Sequence, residues 1–456
     1  MMNPYYYTHD SDRIALQALK AIPGFTQLLK AIMKIWNEKQ YRIQNMSTNL
    51  RISEKQLPQY YKMLPPICEK LGIAVPELYL KLDVEPNAYT AGDTNPFIVM
   101  TSGLLETMTE ELIPTVLAHE CGHIACHHCL YTTMGNIVLS EAIKFIPVDF
   151  VNLAVLPIQV AFAYWMRCSE LSADRAAALC DGTSEKVKEM CLRLAGYDKD
   201  IDAEANIDEF MNQAIDYREM VNDSKWNKTL EFLFLTQQNH PLNAVRAYEC
   251  SEWSKNERFG KMAAYLNTVS GRESGNISAY LHEAPMPESS KYYVGNNVTD
   301  VQVSLQELGF TEIKTTKTTQ KGVMVKDGQV LNIRVNGKDG FAMSEWFPID
   351  SHISIEFYEP ETEEEVSAAH PGQLRVPDAS KRYIGRTYQE VVNELQKSGF
   401  TEIVTEEQRK DKKGLLSKNE GVSVISINGQ TQFEKGEWFP KSAAINIVYL
   451  SFPDKK

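Results

Sequence analysis

No stretch of this 456-residue chain is apolar for the roughly 20 residues that a membrane-spanning helix needs. The nearest approach, Phe150 to Met166, is 17 residues long, contains Asn152, Pro157 and Gln159, and is flanked by Asp149 and Arg167. No basic region followed by an apolar run opens the sequence, so no secretory signal peptide is expected. Positive charge is in deficit, with Lys+Arg 47 against Asp+Glu 60, net −13, and no basic block, which argues against a nucleic-acid partner. Cysteine is sparse as well. Eight in a chain this long, three of them crowded at Cys121, Cys126 and Cys129, do not make a disulfide framework, and free thiols in a reducing cytoplasm are expected. The remainder is 43% hydrophobic and 23% charged, ordinary for a soluble protein, and long enough for two to four cores.

Against that background one short pattern carries chemistry. His119-Glu120-Cys121-Gly122-His123 reads HExxH. Two histidines four apart lie on one face of a helix and can reach one metal ion, and the glutamate beside the first can take a proton from a metal-bound water. Thr109 reads as the helix N-cap, Glu110 and Glu111 suit the positive end of the dipole, and Pro114 falls early enough to be tolerated. The spacing predicts a helix from there to about Tyr131. Cys126-His127-His128-Cys129 is not a second metal site, because helical neighbours point about 100° apart. His127 extends the face of His119 and His123 and is expected beside them as packing or support.

A hydrolytic zinc site takes three protein ligands and leaves a position for water. A histidine six residues after the second would be one source, but Cys126 and Cys129 stand where that pattern needs its Gly and His. A glutamate from a later helix is the other, and Arg167 to Asp174 (RCSELSAD) fits it. Glu170 can bind the metal while Asp174, four residues on, accepts an N–H from a ligand histidine and fixes its tautomer. This also bears on residues 150–166. About 35 residues between Tyr131 and Arg167 are too few for two membrane spans and a turn. Buried helices over the site are preferred, with peripheral membrane contact the less favoured alternative.

Asn87-Ala88-Tyr89, Thr101 to Leu105, Ala118 to His123 and Glu170 to Asp174 together resemble peptidase family M48, zinc metallopeptidases that include prenyl-protein endopeptidases and heat-shock protease X-like quality-control enzymes. Asn239-His240-Pro241 with Arg246 fits the family's downstream segment, and the resemblance covers roughly residues 10–265. It implies one Zn2+ held by His119, His123 and Glu170, with Glu120 as general base. It also implies His240 near the metal, as oxyanion donor or as a fourth ligand. The expected activity is that of a zinc metalloendopeptidase on protein or peptide substrates. The strand around Asn87, Ala88 and Tyr89, with Arg246, forms the expected substrate-binding set. The rival from another class is a non-hydrolytic chaperone or adaptor on the same scaffold.

The C-terminal third is a tandem repeat. Leu305-Gln306 and Gly309 to Ile313 recur as Leu395-Gln396 and Gly399 to Ile403, and Glu345-Trp346-Phe347-Pro348 recurs as Glu437-Trp438-Phe439-Pro440. Each copy reads as a segment ending in Gly295 or Gly385, a helix, a Gly-Phe step and three strands, and so resembles a PASTA domain. The expected fold class is therefore α+β multidomain. A mainly helical zincin domain with a small edge sheet (1–268) is followed by a linker (269–290), a first repeat (291–358), a second linker (359–380) and a second repeat (381–452). The partner of the repeats is unknown. Deleting 281–456 is expected to spare hydrolysis of a small peptide while changing turnover of protein substrates.

Overall fold

Apolar patterning with period two sets the first sheet. β1 (Leu50–Ile52), β2 (Glu77–Lys81), β3 (Ala88–Ala91) and β4 (Phe97–Thr101) lie in the order β1-β2-β4-β3. β4 is parallel to β2 and antiparallel to β3. All five residues of β4 are buried, as suits a central strand covered on both faces. β3 is the outermost strand and alternates, with Ala88 and Thr90 buried and Tyr89 exposed.

The computed structural model describes residues 2–35, 38–92, 94–140, 155–196, 205–223, 242–268, 277–319, 325–410 and 418–452. Residues 150–154 and His240 lie outside them. Five helices matter for the site: α1 (Asp10–Ala21), α2 (Ile113–Ala125), α3 (Cys129–Leu139), α4 (Val155–Asp181) and α5 (Asn243–Ser254). α2 packs along α4. Their approach is close because Gly122 faces Ala173 and Ala176; a Cβ on Gly122 would stand 2.7 Å from the Ala176 Cβ. Pro114 enters at the start of α2, where its missing N–H breaks no helical bond.

The single helix expected from Thr109 to about Tyr131 is three pieces. A 3-10 turn (Glu110–Leu112) leads into α2, and α2 ends at Ala125 before α3 begins at Cys129. The break is a Schellman motif. The His127 N–H donates to the Ile124 carbonyl at 3.1 Å and the His128 N–H to the His123 carbonyl at 2.9 Å. His127 takes the left-handed position, φ 57°, that glycine usually fills. The expectation for His127 is thereby corrected: the turn swings it out to solvent and folds His128 back instead.

The described part of 150–166 is the first half of α4. Ile158, Phe162 and Trp165 bury themselves against Ala15 and Leu19 of α1 and Met134 and Val138 of α3. Among the described residues no helix is long and apolar enough to cross a membrane.

Each repeat holds the helix and three strands that its pattern predicts, with an addition common to both, and the first repeat also holds a short fourth strand. The first has α6 (Val298–Glu307) and a sheet of β6 (Ile313–Thr318), β7 (Val330–Val335), β8 (Lys338–Asp339) and β10 (Ile353–Tyr358) in the order β6-β10-β7-β8. The second has α7 (Tyr388–Lys397) and β12 (Ile403–Arg409), β13 (Val422–Ile427) and β15 (Ile445–Ser451) in the order β12-β15-β13. The addition comes from the stretches read as linkers. They supply β5 (Glu283–Pro285) and β11 (Gln373–Arg375), which pair with the Trp-Phe-Pro strands β9 (Trp346–Pro348) and β14 (Trp438–Pro440).

The chain divides into two compact units, Met1–Thr316 with Gly328–Phe357, and Lys317–Asp327 with Tyr358–Lys456. The first runs well past the boundary expected at residue 268. Leu305, Phe310, Ile333 and Ile355 of the first repeat share one apolar core with Tyr6, Ala263, Leu266 and Met286. The second unit has its own core, built on Val391, Leu395, Phe400, Ile425 and Ile447.

Candidate active site

The helical period does the first part of the assembly. His119 and His123, one turn apart on α2, meet Glu170 of α4, all three buried. The His119 and His123 Nε2 atoms are 3.2 Å apart. His119 Nε2 lies 3.4 Å from one Glu170 oxygen and His123 Nε2 lies 3.3 Å from the other. A tetrahedral zinc with ligand atoms at ~2.0–2.1 Å sets pairs of them about 3.3–3.4 Å apart; here one ligand atom from each of the three residues lies within 4.8 Å of the others, a donor set that can hold such an ion.

Asp174, one turn after Glu170, faces His119: Nδ1 and Oδ1 are 2.9 Å apart. Arg246 of α5 clamps the same carboxylate, its Nε donating to Oδ2 at 2.8 Å and its Nη2 to Oδ1 at 2.7 Å. Arg246, expected among the substrate-binding residues, is 1% exposed and also reaches Glu170, with Nη1 3.4 Å from Oε2. It supports the donor set from behind.

These charges set the protonation. Burial alone would raise the Asp174 carboxyl, but the Arg246 guanidinium and the His119 hydrogen bond outweigh it and hold its pKa at about 2. Burial alone would lower His119, but hydrogen bonds to Asp174 and Glu170 prevail and raise it to about 9. The carboxylates thus favour a positive charge at His119, a place that a bound cation takes in exchange for a proton. His123 is lowered, chiefly by burial.

Glu120 is 1% exposed and lies on a cleft of about 390 Å³ that also bears His123, Glu170, Asn87, Tyr89 and Thr90. Thr90 of β3 donates its hydroxyl to Glu120 Oε2 at 2.6 Å. The cleft therefore brings Asn87 and Tyr89 to the expected base and ligands, with Ala88 buried beneath the same strand. The holding role of Thr90 has no local signal, because it depends on β3 lying across α2. His128 lies against His123, and Asp12 of α1 lies against His128. His240 is not among the described residues.

The likeness to known proteins gives the family. The family model described as Peptidase family M48 matches residues 67–254. Over 266 residues the chain is 31% identical to the Arabidopsis thaliana protein named "Plastoglobule-localized metallopeptidase 48, chloroplastic", covering 58% of this chain and 76% of that relative. The chain belongs to peptidase family M48. Within that family it is also 27% identical over 157 residues to a "Protease HtpX homolog" of Ralstonia nicotianae, covering 29% of this chain and 54% of the relative. It thus spans about half the length of that protein. A solved structure of the entire extracellular region of the Ser/Thr kinase PrkC from Staphylococcus aureus matches with a TM-score of 0.15 and 16% identity, over 38% of this chain and 48% of that one. The match of the family model includes His119 to His123 and Glu170 to Asp174.

Proposed function

We propose that this M48 metallopeptidase is a zinc endopeptidase that takes its substrate as an added strand along β3. The observation that carries the reading is the buried cluster of His119, His123 and Glu170, whose ligand atoms, one from each residue, all lie within 4.8 Å of one another beside the cleft that holds Glu120 and the sheet edge. Zinc held by His119, His123 and Glu170 would polarise the scissile carbonyl and lower the pKa of a water to about 7. Every other step belongs to the chain. β3 offers an extended edge to the peptide backbone, and that mode accepts many side chains. The Asn87 Oδ1 is buried beside the cleft with no hydrogen-bond partner among the described residues, so it is ready to accept an N–H from the substrate. Thr90 engages Glu120 Oε2, and Oε1 takes the proton of the attacking water and returns it to the leaving amine. All eight cysteines are free thiols, which supports a reducing compartment such as the cytoplasm.

The test is metal content and peptide hydrolysis in the wild type and in Glu120→Gln. The amide keeps the size of the side chain but cannot take a proton. Retained zinc with hydrolysis lost by about 10²-fold or more supports the reading. Equal hydrolysis in both proteins removes Glu120 from the role of base. Zinc without hydrolysis in either favours a non-hydrolytic adaptor.

A further inference from the structure

Both ligand histidines need the same service. If Nε2 is to bind a metal, Nδ1 must carry the hydrogen and give it to an acceptor that holds the ring. For His119 the acceptor is Asp174. For His123 the Glu170 carboxylate faces Nε2, and the partner at Nδ1 is not a carboxylate. Its Nδ1 instead lies 3.0 Å from the Nδ1 of His128, and the Nε2 of His128 lies 2.9 Å from Oδ2 of Asp12 on α1. His128 and Asp12 are each 2% exposed.

We propose that His128 and Asp12 are positioning residues that fix the tautomer and orientation of His123 for the metal. The proposal rests on the zinc-site reading above. Its direction follows from the chemistry at the two ends. With His123 Nε2 facing the other ligands, its Nδ1–H donates to His128 Nδ1. His128 must then be neutral with its hydrogen on Nε2, and that hydrogen goes to Asp12. Asp12 receives two more hydrogens, from Trp165 Nε1 at 2.8 Å and Ser172 Oγ at 2.6 Å, so it can only be the terminal acceptor. Three donors converging on one carboxylate keep it ionised in a place where an unpaired charge would be costly.

Simple packing of polar groups explains this less well. A buried polar cluster has no preferred hydrogen direction, whereas here a ligand histidine at one end and a three-donor carboxylate at the other leave one arrangement. The backbone is arranged for it too. The Schellman turn at Cys126–His128 is what returns His128 to the flank of His123, and it does so with a non-glycine residue, His127, in the left-handed region.

The test uses the full chain loaded with zinc. His128→Leu removes the acceptor for His123, whereas His128→Gln keeps an acceptor toward His123 and a donor toward Asp12. Zinc affinity is read by competition with a chromophoric chelator, and folding by the far-ultraviolet circular dichroism of the zinc-free proteins. His128→Leu and Asp12→Ala are expected to bind zinc about 10- to 100-fold more weakly, with His128→Gln recovering most of the loss. A folded His128→Leu with wild-type zinc affinity overturns the relay while leaving the zinc site standing. A wild type that holds no zinc overturns both. Should His128→Leu fail to fold, nitrogen chemical shifts of the histidines in the zinc-loaded wild type decide. The relay requires Nδ1–H on His123 and Nε2–H on His128, and the opposite tautomer at His128 overturns it.

Discussion

At the scale of single residues, the proposed site separates groups that would meet the reaction from groups that would hold them. Glu120 is the clearest case. A general base on a helix can rotate about three side-chain torsions, and its proton affinity is useful only at the right place. Thr90 removes that freedom by donating 2.6 Å to Oε2 from the neighbouring strand. Thr90→Val keeps shape and β-branching and deletes only the hydroxyl. A hydrogen bond to a charged group contributes ~1.5–3 kcal/mol, so kcat should fall about 10- to 100-fold with zinc content unchanged. Steady-state kinetics beside metal analysis check this. Unchanged kcat would mean that Glu120 is oriented by α2 alone. Residues of this kind escape a reading of the sequence because their role lies in a contact across more than 20 positions. That His119 and His123 share a face, and Glu170 and Asp174 another, was legible because one helical turn links each pair. Arg246 was legible as a member of the site but not in its direction, since the side it presents is set by how α5 docks on α4.

At the scale of elements, the site depends on how closely α2 and α4 approach. The two variable positions of HExxH are Cys121 and Gly122, both buried. Gly122 points at α4, and an added Cβ would meet the Ala176 Cβ at 2.7 Å, the Ala173 Cα at 3.0 Å and the Ala173 carbonyl oxygen at 3.2 Å. Two of those atoms are backbone and cannot turn aside, so Gly122→Ala must part the helices. That move carries Glu170 away from His119 and His123. Overpacking of this kind costs ~1–3 kcal/mol, and zinc affinity should drop along with thermal stability. Adding Ala176→Gly relieves the shortest contact and should restore part of both. Loss of stability with no change in zinc affinity would show that the helices part away from the ligands. The sequence announced the helices through their period. It did not announce the break between α2 and α3, because the residue in the left-handed position is His127, not the glycine that usually marks a helix end.

At the scale of the molecule, most of the first repeat belongs to the unit that carries HExxH, and this changes what a truncation should do. The Tyr6 hydroxyl donates to the Leu308 carbonyl at 2.9 Å, and its ring meets Trp346 edge-on at 5.6 Å. Arg13, next to Asp12, donates to the Pro287 carbonyl at 2.9 Å, and Arg258 pairs with Glu283. Leu305, Leu308, Phe310 and Ile333 complete the same core. The repeat motif was plain in the sequence, but its packing was not, since apolar periodicity shows that a face is buried without naming what buries it. Ending the chain at residue 280 therefore uncovers a large apolar surface and frees α1, which carries Asp12. Deletion of 281–456 should lower the melting temperature by many degrees and weaken zinc binding, in place of sparing the hydrolysis of small peptides. Ending the chain at 358 removes all the residues of the second, separate core and should leave melting of the first unit, its zinc affinity and small-peptide turnover close to the full-length values. Calorimetry and zinc titration on the two truncations distinguish these outcomes. Equal stability of both would mean that the helical region folds without the first repeat, and that the shared core contributes little to holding α1 against the site.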